Sequence, residues 1–251
     1  MAEWFEQFFD GLYGEVLATR FDNEETLRQA DKIKLQLRLR KGERVLDIPC
    51  GMGRLMLPLA RLGISMTGVD LSELYLKRAR QHAEKEGLDV RLIHKDMRDI
   101  PFDSEFDAAF NWYGSFGYFS DEDEVTYCRK VLQALKPGGR FLTEGMNKSW
   151  VTAHFEPHIK RKVGEVDIDD RVQFDPRTGR IHSIMKFTKG NVSKLRNLIM
   201  KTFDAKDIRG VLRAAGFREI ELFGHSFGDD AVTRFIRHSP RFIAVARRPK
   251  A

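Results

Sequence analysis

Short apolar runs that end near a polar residue recur through the first 144 positions, with stretches of helical spacing between them. Residues 45–48, 65–70, 90–94, 106–111 and 140–144 each have the length and content of a buried strand. Between them Leu55, Leu59 and Leu62 repeat at helical intervals. Ser72 caps a helix to about residue 86, stopped by Gly87, and Ser120 caps another to about 135, with Val125, Val131 and Leu132 inward. Lys136-Pro-Gly-Gly139 breaks the chain ahead of the fifth strand. This alternation predicts an α/β fold, a mostly parallel sheet with helices on both faces.

The flanks follow different patterns. Residues 3–20 form an amphipathic segment rich in aromatics, Trp4, Phe5, Phe8, Phe9 and Tyr13. It either caps a core or closes as a flap over a ligand with Tyr13 inward. Residues 24–40 predict a helix with Leu27, Ala30, Ile33 and Leu37 on one face and Gly42 as its stop. After Glu144 the alternation ceases. Strands are expected near 163–168, 171–174 and 180–188, with Asp175-Pro-Arg-Thr-Gly179 as a hairpin turn. A helix over 203–215 follows, with Ile208, Val211 and Leu212 inward and Gly216 at its end, then strands at 219–223 and 241–246.

Composition narrows the class. The 251 residues are 42% hydrophobic and 32% charged, which suits a globular domain with a sizeable core. The net charge of +6 is spread along the chain, with only Lys160-Arg-Lys162 and Arg247-Arg248 as short basic runs, so it reads as solvated surface. Cys50 and Cys128 show neither metal spacing nor a disulfide framework, as expected in a reducing cytoplasm, and no metal is expected. Glu3, Glu6 and Asp10 argue against a signal peptide. No stretch reaches the roughly 18 apolar residues of a membrane span.

The chemistry centres on Arg44-Val-Leu-Asp-Ile-Pro-Cys-Gly-Met-Gly-Arg54, a strand running through a glycine turn into a helix. Such a unit handles nucleotides: glycine admits a ligand to the backbone, and free N–H groups of the helix's first turn face it. Asp70 ends the second strand 19 residues past Gly51, where a ribose-binding acid belongs. A dinucleotide fingerprint would need a small residue where Met56 stands, so that match fails. Asp47, at the end of the first strand, is ill-suited to a pyrophosphate and well suited to a cation or amine. Asp47, Asp70, Asp96 and Asn111 all fall at carboxyl ends of strands, where ligands of such sheets sit.

With Val-Leu-Asp-x-x-x-Gly-x-Gly, Gly68-Val-Asp70, Asp96-Met97, Phe106-Asp107 and Leu135-Lys-Pro-Gly-Gly139 in order over residues 44–144, the chain resembles a class I S-adenosylmethionine-dependent methyltransferase. Asp-x-Pro-Cys-Gly-x-Gly-Arg, Asp-Met-Arg and Ser115-Phe-Gly-Tyr-Phe119 look like a broad group acting on small molecules. Pro49 departs from the family's commoner glycine, and altered local detail is expected there. The resemblance implies a Rossmann-like seven-stranded sheet with an antiparallel last strand and a small antiparallel lid inserted after strand five. One domain is implied: a helical cap or flap over 1–43, a cofactor core over 44–144, a substrate lid over 145–200, and a helix and hairpin over 201–251.

It also implies roles. Asp47 would hold the cofactor's ammonium, with Pro49, Gly51 and Gly53 at the turn; Asp70 would take the ribose hydroxyls. Leu71 and Met97 would sandwich the adenine, Asp96 would accept from its amine, and Asn111 would lie by the methionine part. Each acid, taken singly, is equally at home making local backbone bonds. Tyr13, Trp112, Tyr113 and Phe116 are the substrate-side candidates, for an apolar or aromatic small-molecule acceptor. Transfer to N, O or C would be an in-line displacement yielding S-adenosyl-L-homocysteine, so alignment is the main task. Trp112 or Tyr113 would add a cation–π term near the sulfonium. His154, after strand five with His158 and Glu144 behind it, is the candidate base, against its reading as a surface histidine. Two alternatives stand beside this: a nucleic-acid methyltransferase, disfavoured by Asn111-Trp-Tyr-Gly114 in place of a proline pair, and a non-catalytic cofactor-binding regulator.

Overall fold

The computed structural model describes residues 4–9, 11–229 and 231–250. Glu3 and Asp10, read above against a signal peptide, lie outside the described residues, as does the Glu6 side chain. The elements in chain order are α1 (Trp4–Phe8), α2 (Gly11–Arg20), α3 (Asn23–Leu37), β1 (Arg44–Asp47), α4 (Met56–Arg61), β2 (Ser65–Asp70), α5 (Glu73–Lys85), β3 (Arg91–His94), β4 (Phe106–Asn111), α6 (Asp121–Ala134) and β5 (Leu135–Met146). Then come α7 (Lys148–Ala153), β6 (His158–Val163), β7 (Val166–Asp175), β8 (Arg180–Lys189), β9 (Val192–Lys201), α8 (Ala205–Ala215), β10 (Arg218–His225), β11 (Thr233–Arg234) and β12 (Arg241–Arg247).

The main sheet has the order β11-β10-β12-β5-β4-β1-β2-β3. β3, β2, β1, β4 and β5 pair in parallel, and β12 inserts antiparallel between β5 and β10. Seven of these strands were expected; the eighth, β11, is an exposed two-residue edge too short to leave a pattern. Strand side chains alternate between two cores. Leu46, Phe106, Ala109, Phe141 and Phe242 face α6 and α8, whereas Val45, Ala108, Phe110, Leu142 and Ile243 face α3 and α4. Helices therefore cover both faces, which is why these strands read as nearly continuous apolar runs.

Caps explain most boundaries. The Ser72 side chain accepts from the Tyr75 N–H (3.3 Å), the Ser120 side chain from Asp123 (3.1 Å), and Asp204 with Asp207 forms a capping box on α8. Helix α3 ends earlier than predicted, at Leu37 rather than Arg40. Arg38 takes the left-handed region (φ 50°) so that the buried Leu39 can send its N–H back to the Lys34 carbonyl at 2.9 Å. α3 turns Ala30, Ile33 and Leu37 inward as expected, and of its expected face only Leu27 lies outside. Leu27 is 45% exposed because Thr26, Gln29, Ala30, Ile33 and Leu37 turn inward, the polar ones among them engaging partners in the site. Leu62 is likewise outside, 46% exposed past the end of α4. Lys136-Pro-Gly-Gly139 does not break β5 but shifts its register against β4.

After β5 the chain builds a separate four-stranded antiparallel meander, β6-β7-β8-β9. The strand expected over 163–168 straddles the turn at Gly164 (φ 56°), which separates β6 from β7. β9 went unread because it is an edge strand exposed on most positions, so its residues do not alternate in polarity. This inserted sheet packs on the N-terminal helices: Val166, Ile168, Met185 and Phe187 form one cluster with Phe8 and Val16.

Candidate functional site

At the carboxyl ends of β1, β2, β3 and β4 lies a cavity of about 240 Å³. The glycine turn after β1 forms its floor. Gly51 has φ 54°, and a Cβ there would meet nothing within 4 Å, so the backbone lies open to a ligand. Gly53 (φ 79°) serves packing instead: a Cβ there would meet Ala79 and Leu57 at 3.3 Å, and the residue does not line the cavity. The bulk of Met56 is accommodated across the sheet by Gly68, where a Cβ would come within 2.9 Å of the Met56 sulfur and 2.7 Å of Cys50 Sγ. The Ile48–Pro49 peptide is cis and Pro49 lines the cavity.

The three acids differ in how their charge is met. Asp70 accepts from the Gly51 N–H (2.8 Å) and the Ser72 N–H (2.8 Å), one on each carboxylate oxygen, and lines the cavity. Burial raises its pKa despite these bonds. Asp96 pairs with the Arg98 guanidinium (2.7 Å) and accepts the Arg98 N–H (2.8 Å). Both acids thus make the local bonds that turn carboxylates make. Asp47 does not. It is buried, and no donor among the described residues reaches its carboxylate. Burial, and then the nearby Asp70, push its pKa well above the ordinary carboxylate range. A cationic group of a ligand would relieve that cost, so the site fits a cofactor bearing an ammonium and a sulfonium but no phosphate.

The roof is the N-terminal segment. Phe5, Phe9, Tyr13, Leu17 and Phe21, four residues apart, all line the cavity. The Tyr75 hydroxyl on α5 donates to the Phe9 carbonyl and pins the roof to the core. Phe5 meets Phe119 at 5.6 Å on the side where Leu71, Asp96 and Met97 lie, and Phe21 meets Tyr113 at 4.9 Å at the other end. Tyr113 holds φ 73°, a backbone position that costs of order 1 kcal/mol in a non-glycine residue. Its N–H donates to Glu144 Oε2 at 3.0 Å. Burial, and secondarily Tyr113 and Tyr118, raise the Tyr13 pKa well above its ordinary value; burial raises Tyr113 and Tyr118 too.

Asp47, Pro49, Gly51, Asp70, Leu71, Asp96, Met97, Tyr13, Trp112 and Tyr113 all line the cavity. Gly53, Asn111, Phe116 and His154 do not. The Asn111 amide is fully buried behind the turn and donates to the Tyr127 hydroxyl (3.1 Å), which itself donates to the Ile48 carbonyl (3.3 Å). Phe116 packs in the core on Phe203 (4.9 Å), because Gly114 and Gly117 redirect the loop so that Ser115, Tyr118 and Phe119 face inward instead. His154 is an exposed residue at the end of α7, stacked on Trp150 at 4.5 Å. His158 is exposed too, against Asp169 at 2.9 Å. Glu144 is committed to Arg241 and His225; although burial opposes it, they hold its pKa down to about 2. The sequence reading missed Leu17, Phe21, Tyr118 and Arg54. The four-residue spacing from Phe5 signals the first two, and Arg54 stood unassigned in the glycine motif.

Residues 45–139 match the family model described as a methyltransferase domain. The ubiquinone biosynthesis O-methyltransferase of Roseobacter denitrificans is 38% identical over 117 residues, 45% of this chain and 46% of that protein. The chain thus spans about half the length of the curated relatives it matches. Across the whole chain the fold is that of the CcbJ methyltransferase from Streptomyces caelestis, with a TM-score of 0.79, 17% identity and 99% of each chain covered. An S-adenosylmethionine-dependent methyltransferase from Clostridium acetobutylicum matches with a TM-score of 0.77 and 18% identity over 96% of this chain and 97% of that one. The glycine turn and its acids therefore sit inside the matched domain, on a Rossmann-like methyltransferase fold.

Proposed function

We propose that the chain transfers the methyl group of S-adenosylmethionine to N, O or C of a small-molecule acceptor held under the N-terminal roof. The observation that carries this is the buried Asp47 carboxylate, which has no donor among the described residues and lines a cavity at the strand ends. Asp47 holds the ammonium, and Asp70 the ribose hydroxyls. Leu71 and Met97 flank the adenine, with Asp96 toward its amine. The bound sulfonium supplies an already activated methyl group.

What remains for the chain is to hold donor and acceptor in line and exclude water. Trp112 and Tyr113 form the wall at the acceptor end, and Tyr13 closes it from above. The inserted sheet acts as the substrate lid by bracing that roof. Burial keeps the tyrosine hydroxyls protonated at neutral pH, so they donate hydrogen bonds rather than act as tyrosinate bases. A roofed cavity favours a free small molecule over a base within a polymer. The test is calorimetry of the purified chain with S-adenosylmethionine and with NADH. Binding of the first alone is expected; NADH binding alone overturns the reading. A labelled-methyl screen over pooled metabolites and RNA then separates a small-molecule enzyme from an RNA enzyme and from a non-catalytic binder.

A further inference from the structure

Among the described residues, one cation lining the cavity has no acid of its own. Arg54 follows the glycine turn, and burial pulls its pKa down to about 10, against the pull of Tyr113 and Asp47, so it stays charged at neutral pH. Its hydrogen-bond partners are neutral: Gln29 Oε1 at 2.8 Å and Thr26 Oγ1 at 3.5 Å. Gln29 is itself fixed, accepting from Trp112 Nε1 (3.0 Å) and donating to Glu25 (2.6 Å). The Glu25 charge is met by Arg28 at 2.9 Å. Among the described residues Arg54 makes no ion pair, although Asp47 lines the same cavity. Its guanidinium lies 4.2 Å from the Phe21 ring centroid and 5.9 Å from that of Tyr113, at the end of the cavity away from Leu71 and Met97. Lys95, the other basic residue lining the cavity, is spent on Asp99 at 2.8 Å.

A guanidinium held by neutral groups, desolvated and stacked on a ring is arranged for a planar bidentate anion. We propose that Arg54 binds a carboxylate at this end of the cavity, supplied either by the amino-acid tail of the cofactor or by an acidic methyl acceptor. Aromatic rings on two sides suit a flat carboxylate, and Asp47 beside it makes the pair complementary to a zwitterion. The inference rests on the function proposed above.

Two calorimetric pairs on wild type and Arg54→Gln locate the source. The first compares S-adenosylmethionine with its decarboxylated form, which keeps the sulfonium and the amine. The second compares benzoate with benzamide in the presence of saturating S-adenosylhomocysteine. The variant is expected to weaken the carboxylate-bearing member of one pair at least tenfold and leave its neutral counterpart within twofold. Loss in the first pair assigns the cofactor tail, and loss in the second an acidic acceptor. If neither pair discriminates, or both members of a pair fall together, Arg54 is no carboxylate site. Should Arg54→Gln fail to fold, Arg54→Lys is read the same way, with a threefold or larger loss expected for the carboxylate member because the planar fork is gone. Wild type that binds neither nucleoside sinks the methyltransferase reading itself, a result distinct from nucleoside binding without discrimination.

Discussion

The carboxylate of Asp70 accepts the backbone N–H of Gly51 at 2.8 Å, joining the end of the second strand to the glycine turn of the first. One side chain thus shapes the turn and lines the cavity. Asp70→Ala is expected to weaken S-adenosylmethionine binding about tenfold to a hundredfold, about 1.4–2.8 kcal/mol. It should also lower stability by about 2 kcal/mol through the lost N–H bonds. Calorimetry and thermal denaturation read the two effects separately, and unchanged affinity in a folded variant refutes the ribose role.

Asp47 sets a pH dependence. In the free protein its pKa is raised, so it holds its proton at pH values where ordinary carboxylates have lost theirs. A cationic ligand prefers the ionised form, so binding releases a proton and affinity rises with pH until the raised pKa is passed. Calorimetry in buffers of different ionisation enthalpy should report that release. Asp47→Asn should abolish it and bind weakly.

Glu124 governs stability rather than affinity. Burial lifts its pKa from 4.5 to about 8, and its Oε2 accepts the Gly117 N–H at 3.0 Å, within the loop that carries Ser115 and Tyr118 to the cavity. The folded state keeps a proton that the unfolded chain loses, so this group's stabilisation is complete below about pH 4.5 and lost as pH rises to about 8. Its contribution to the slope approaches about 1.4 kcal/mol per pH unit inside that window. Glu124→Gln should flatten the denaturation profile there.

His154→Ala is expected to leave turnover and cofactor affinity within about twofold of wild type, as for other exposed substitutions. A rate loss of a hundredfold with normal folding would restore the histidine as base.

Much of this was legible in the residues. Strand positions follow from apolar runs covered on both faces, and Asp47, Asp70 and Asp96 reach one cavity because each sits at or just past a carboxyl strand end. The loop after β4 was not readable in the same way. Positive φ at Tyr113, Gly114 and Gly117 removes any side-chain period, so nothing local says that Tyr118 faces in and Phe116 faces the core. Arg54 was visible but its setting was not, since Gln29 and Trp112 come from distant parts of the chain. Met56 misled in neither direction: it excluded a dinucleotide fingerprint, and the small residue it requires appears as Gly68 on the neighbouring strand.

The N-terminal helices that roof the cavity rest on Val166, Ile168, Met185 and Phe187 of the inserted sheet, and Glu15 on α2 is tied to Lys189 at 2.9 Å. Ceiling height over the cavity is thereby set by a part of the chain that, among the described residues, does not itself line it. Substitutions in that meander can reshape the space under the roof while the glycine turn and its acids stay as they are, so the two halves of the cavity are free to change independently.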